Sequence, residues 1–148
     1  MSRRRKSRTR SSSSKKPKLP RNLPPLFLDE NVAGRALAEA LRNLGLDVKL
    51  SHVEFGRGAE DSVWLPEIGQ RGWILLTKDR AIRRRKPELN SLRRARVRAF
   101  FFASGDLTSA QMIRSFRKAL HRIARAIEKE QPPFLKRITP SGELTDLE

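Results

Sequence analysis

The chain has 148 residues, with 33 Lys and Arg against 16 Asp and Glu, a formal net charge of +17 and no cysteine. Disulfides and thiolate metal sites are therefore excluded, two histidines are a poor basis for a zinc site, and no apolar run approaches the roughly 20 residues of a membrane helix. The charge favours a polyanionic partner, nucleic acid first, through counterion release.

The first 25 residues hold 10 of the Lys and Arg, none of the acids, and the run Ser11-Ser12-Ser13-Ser14. Such a segment cannot bury enough apolar surface to offset its ordering entropy, so a disordered tail is expected over 1–25 and one folded domain over 26–148. The domain keeps 23 bases against 16 acids, a net of +7, and is basic in its own right. The basic beginning is followed by no apolar stretch of the secretory kind. A soluble, cytoplasmic protein is expected.

Leu26 to Asp29 reads as a short buried strand. Leu37, Ala40, Leu41 and Leu44 then fall at helical spacing, and Gly45 follows as a helix stop. Val48 and Leu50 begin a second extended segment, and Phe55 to Gly58 reads as a loop. A helix is predicted from about Asp61 to Gln70, with Val63, Trp64 and Ile68 as its buried side. Pro66 conflicts with it, since proline suits the first turn of a helix. Trp73 to Thr77 is the clearest strand. Ala81 to Ala95 reads as polar helix interrupted at Pro87, and Val97 to Ala103 as another central strand. Ile113, Phe116, Leu120, Ile123 and Ile127 line one face of a long helix that Pro132-Pro133 stops. Phe134 to Leu147 forms either a hairpin about Ser141-Gly142 or a packed tail.

Strands alternating with helices imply an α/β fold with a mainly parallel sheet, whose functional crevice lies beyond the carboxyl ends of the strands. Asp29 and Glu30, Asp79, and Asp106 all sit at or just past such ends. Buried carboxylates need a cation, a donor or water. Several converging at one edge of a basic protein suit Mg²⁺ or Mn²⁺, which prefer oxygen ligands, and suit contact with phosphate. Each acid also has a plainer role. Asp29 can close a turn on its own backbone, Asp61 can favour a helix N-terminus, and Asp106 can cap the helix beginning near Thr108. Thr77 either orients a ligand or is a plain β-former. Arg83-Arg84-Arg85-Lys86 is a solvated face that in a nuclease would also guide phosphates. No Walker loop, GxGxxG or Ser/His/Asp pattern is present in the sequence.

Leu28-Asp29-Glu30-Asn31, then Asp61-Ser62-Val63-Trp64-Leu65-Pro66, then Thr77-Lys78-Asp79-Arg80 resemble the PIN-like domain family, and more narrowly its branch of VapC-type toxin ribonucleases. Pro132-Pro133-Phe134 and Ile138-Thr139 with Ser141-Gly142 are similar to that branch's ending. The resemblance runs from about Leu26 to Leu144. It implies a three-layer α/β/α sandwich and a Mg²⁺- or Mn²⁺-dependent endoribonuclease, usually the toxin of a toxin–antitoxin pair. By motif position Asp29, Asp61 and Asp79 are the catalytic and metal-binding acids. Asp106 and Glu30 are further metal candidates. Lys78, Arg80, Arg83 and Arg84 are expected to hold RNA, with Thr77 behind the metal ligands. The implied partners are RNA, a cognate antitoxin protein and a second copy in a homodimer, with no membrane. The rival readings are a non-catalytic RNA- or DNA-binding module and a regulatory protein with the same fold.

Overall fold

The computed structural model describes residues 23–32, 34–78 and 86–147. Their strands form one six-stranded sheet in the order β2-β1-β3-β4-β5-β6. In chain order the elements are β1 (Leu26–Leu28), α1 (Arg35–Asn43), β2 (Val48–Leu50), α2 (Ser51–Glu54), α3 (Asp61–Arg71), β3 (Ile74–Thr77), α4 (Lys86–Arg94), β4 (Arg98–Phe102), α5 (Ser109–Lys129), β5 (Phe134–Ile138) and β6 (Leu144–Asp146). The first five strands pair in parallel and β6 closes the edge antiparallel to β5.

Period-two alternation builds a core on each face of the sheet. Leu26, Leu28, Ile74, Leu76, Phe100 and Phe102 face one way, onto Leu37 and Leu41 of α1 and Phe116 and Ile123 of α5. Phe27, Leu75, Ala99 and Phe101 face the other way, onto Trp64, Leu65 and Ile68 of α3 and Leu92 of α4. The result is the expected three-layer α/β/α sandwich. Phe27 sits in the second core with its ring centroid 5.1 Å from Trp64 and 5.7 Å from Phe55.

Several boundaries follow from local chemistry. Gly45, at φ +91°, follows α1 in the left-handed conformation that favours glycine. Gly72 does the same for α3 at φ 74°. Thr108 caps α5: its hydroxyl accepts the Gln111 N–H at 3.1 Å, and the Gln111 side chain accepts the Thr108 N–H at 2.9 Å. This reciprocal pair excludes Asp106 as the cap. Asp106 is exposed, and its N–H donates to Ser104 Oγ at 3.0 Å.

Four expectations change. The extended segment at Val48 ends at Leu50, and Ser51 to Glu54 coil into a short helix. Pro66 lies inside α3, which continues through it to Arg71. Pro87 falls in the first turn of α4, where its missing N–H has no intrahelical partner to lose. Val63 is 55 % exposed rather than buried. At about 100° per residue it lies on the opposite flank of Trp64 from Leu65, and the stripe that meets the sheet is Trp64, Leu65 and Ile68. The C-terminal alternative resolves to a hairpin, with Gly142 at φ +89° in its turn.

Candidate active site

The strand order places a topological switch point between β1 and β3. The chain leaves β1 for β2 on one side, then crosses back to add β3 on the other. Ligand crevices in open α/β sheets lie outside the carboxyl ends of the strands at such a point. Leu28 pairs with Leu76, so the next residue on each strand, Asp29 and Thr77, come side by side at that edge.

Asp29 is 3 % exposed and Thr77 is fully buried. The Thr77 hydroxyl donates to Asp29 Oδ2 at 2.5 Å, across 48 residues of sequence. The Asn31 N–H donates to Oδ1 at 3.1 Å, and the Val32 N–H to the Asp29 carbonyl at 3.0 Å. Asp29 thus closes a turn on its own backbone and also bonds the neighbouring strand. The turn fixes the backbone while Thr77 fixes the carboxylate from the neighbouring strand. Hydrogen bonds to an ionised acceptor are worth about 1.5–3 kcal/mol, enough to hold one rotamer.

Asp61 is the first residue of α3, where the helix dipole favours an acid. Three residues before it, the loop leading into α3 is bonded to Glu30. Both Glu30 carboxylate oxygens accept the Gly58 N–H, at 3.2 and 3.0 Å. Gly58 has φ +76°, in the left-handed region that favours glycine. The Glu30 side chain therefore ties the loop before α3 to the residue after Asp29. Sequence reasoning had no signal for this contact, which spans 28 residues. Beyond it, Glu60, Asp61 and Ser62 of α3's start and Pro87 and Glu88 of α4 line a cleft of about 500 Å³. Glu88 is a further acid at this edge that the strand-end argument passed over, because it lies on a helix.

Lys78, next to Thr77, is half-buried. Asp79, Arg80, Arg83 and Arg84 lie outside the described residues. Among the described residues no three His, Cys, Asp or Glu side chains form a group able to hold a metal ion. The donor chemistry of Asp29 and Asp61 is carboxylate oxygen, which fits Mg²⁺ or Mn²⁺ and not a soft metal.

Among the described residues, no helix is long and apolar enough to cross a membrane. A family model described as a PIN like domain matches residues 24–104. The chain is also 26 % identical over 124 residues to the "Putative ribonuclease VapC45" of Mycobacterium tuberculosis, covering 81 % of this chain and 89 % of that protein. No solved structure matches.

Proposed function

The chain belongs to the PIN-like domain family, and on that premise we propose that it is a metal-dependent endoribonuclease, the toxin of a toxin–antitoxin pair. One observation carries the reading. Asp29 is a buried carboxylate at the switch point, oriented from a second strand by the Thr77 hydroxyl. Carboxylates that ligate metals are commonly held in one orientation by such a second hydrogen bond. The matched relative's name, a VapC ribonuclease, points the same way.

Asp29, Asp61 and Asp79 would hold Mg²⁺ or Mn²⁺. When bound, the ion supplies a more acidic water and an electrostatic partner for the phosphodiester oxygens. The rest falls to side chains of the protein. Thr77 keeps the Asp29 carboxylate in one orientation. Glu30, bonded to Gly58, positions the loop that carries Asp61 rather than binding the ion itself. Lys78, Arg80, Arg83 and Arg84 hold the RNA backbone against the anionic site. Asp106 stands outside the ligand set, as an exposed turn residue. The basic segment 1–25 adds sequence-independent attraction for RNA.

The test is cleavage of single-stranded and structured RNA by the purified protein with Mg²⁺, with Mn²⁺ and with EDTA, beside Asp29→Asn and Asp79→Asn. Asn at 29 keeps an acceptor for the Asn31 N–H and can reach Thr77, so the fold should survive while the charge is lost. Metal-dependent cleavage that both variants lose supports the proposal. RNA binding without cleavage under every condition, equal in all three proteins, would instead identify a binding module. Co-purification with a small partner encoded beside the gene tests the toxin assignment.

A further inference from the structure

Helices α3 and α4 lie side by side on one face of the sheet, and the groove between them has two differently charged ends. At their N-termini is the acidic cleft of Glu60, Asp61 and Glu88. At their C-termini is a second cleft of about 560 Å³, lined by Gly69 and Gly72 of α3's end and by Arg94, Arg96 and Arg98. Ser91 of α4 lines both clefts, so the two adjoin at that helix.

The basic end is built, not incidental. Gly69 lets the helices close together there: a Cβ at this position would collide with the Ala95 carbonyl oxygen. Arg96 turns the chain from α4 into β4 at φ +57°, its N–H donating to the Arg93 carbonyl at 3.0 Å. Arg98 follows as the first residue of β4. Among the described residues no carboxylate lines the cleft. Among the described residues none of the three guanidiniums is in an ion pair. Arg98 Nε is buried with no hydrogen-bond partner, although a buried donor left unmade costs about 1–3 kcal/mol. The helix C-termini favour cations and account for part of the cluster. They leave the Arg98 donor unsatisfied.

The geometry points to a phosphate-binding site for RNA at this end of the groove, resting on the ribonuclease reading of the other end. Three forked guanidiniums match a phosphodiester, whose tetrahedral group and flanking ester oxygens accept from several directions. A carboxylate is satisfied by one bidentate arginine. Helices of 9 and 11 residues are roughly 14–17 Å long at about 1.5 Å per residue. RNA lying in the groove would therefore be anchored by a phosphate held roughly that far from the bond that is cut. The substrate is then a strand several nucleotides long, and the arginines set its register.

The test is RNA binding by the full chain in EDTA, where cleavage cannot intervene, measured as anisotropy of a labelled single-stranded RNA from 50 to 400 mM salt. The variants are Arg94→Gln, Arg98→Gln, Arg98→Lys, Arg96→Asn (asparagine tolerates the positive φ) and Arg125→Gln as an exposed control on the far helix layer. All carry the same basic segment 1–25, so its contribution to the slope is constant. Each cleft substitution to a neutral residue should make the slope of log affinity against log salt shallower by about 0.7, roughly a fourfold loss of affinity near 0.15 M salt. Arg98→Lys should keep most of the slope and, if Arg98→Gln folds poorly, replace it by comparison of affinities. Slopes equal to that of Arg125→Gln overturn the site, whatever the cleavage assay gives. So does competition by polyglutamate that Arg94→Gln abolishes while RNA binding is unchanged, since the cleft would then belong to an acidic protein. Loss of slope in the cleft variants with no cleavage by any protein would retain the phosphate site and remove the nuclease.

Discussion

Replacing Thr77 by valine is the sharpest perturbation of the candidate site. Valine has the shape of threonine and at least its preference for strands, so a plain β-former should tolerate it. In this fold the substitution deletes the 2.5 Å hydrogen bond to Asp29 Oδ2. It leaves a carboxylate that is 3 % exposed beside a methyl group. Losing a hydrogen bond to a charged group costs about 1.5–3 kcal/mol. At about 2–4 °C per kcal/mol for a domain near this size, the melting temperature should fall by roughly 3–12 °C. Thr77→Ser keeps the hydroxyl and loses a buried methyl, for about 1 kcal/mol. The order of stability should be threonine, then serine, then valine. Thermal melts followed by circular dichroism in EDTA measure it, and Mn²⁺ titration of the same proteins should show weaker binding in valine than in serine. Valine as stable as wild type, or more stable than serine, would refute the claim that Thr77 holds the Asp29 carboxylate.

Three further outcomes follow from the packing. Trp64→Ala should cost about 3–5 kcal/mol in a denaturant titration, since Trp64 is 2 % exposed against Phe27. Val63→Glu, one residue away, should stay within about 0.5 kcal/mol. Gly69→Ala gains about 1 kcal/mol of helix propensity but places a methyl on the Ala95 carbonyl. Overpacking of that kind costs about 1–3 kcal/mol, so a net loss is expected and a rise in melting temperature would show that α3 can shift aside.

Lys136 gives the pH-dependent prediction. Its side chain is 7 % exposed and pairs with Glu130 at 2.9 Å and Asp146 at 2.5 Å. Burial pulls its pKa down, but the hydrogen bonds and charges of Asp146 and Glu130 outweigh this and raise it above the ordinary lysine value. A raised folded pKa means the pair's stabilisation is complete below the unfolded value of about 10.4 and is lost as pH rises through the folded one. Lys136→Met returns two exposed carboxylates to water and should cost less than about 1 kcal/mol at neutral pH, while Glu130→Gln with Asp146→Asn strands the buried ammonium and should cost more, up to about 3 kcal/mol. Urea titrations at pH 7 and above pH 10.4 should show the double variant's deficit shrinking at the higher pH.

Much of this architecture was legible in the chain because its signals are local. Apolar runs of three to five residues ending in Asp29 and Thr77 marked the strands, and helical spacing marked α1 and α5. The Thr108-x-x-Gln111 pattern carries the cap of α5 within itself, and the nearby acid Asp106 takes no part in it. Val63 misled for a physical reason. Periodicity says which residues share a face, while the rotation of that face against the sheet is decided by what α3 packs on.

By itself the sequence determined a basic α/β domain and the acids at its strand ends, since alternation and charge act between near neighbours along the chain. Tertiary structure decided the strand order that brings Asp29 beside Thr77, the Glu30 carboxylate on Gly58, and the adjoining clefts that hold Asp61 in one and Arg94, Arg96 and Arg98 in the other. These contacts join segments tens of residues apart, and their geometry depends on how helices and strands close on a shared core. No local pattern encodes that closure.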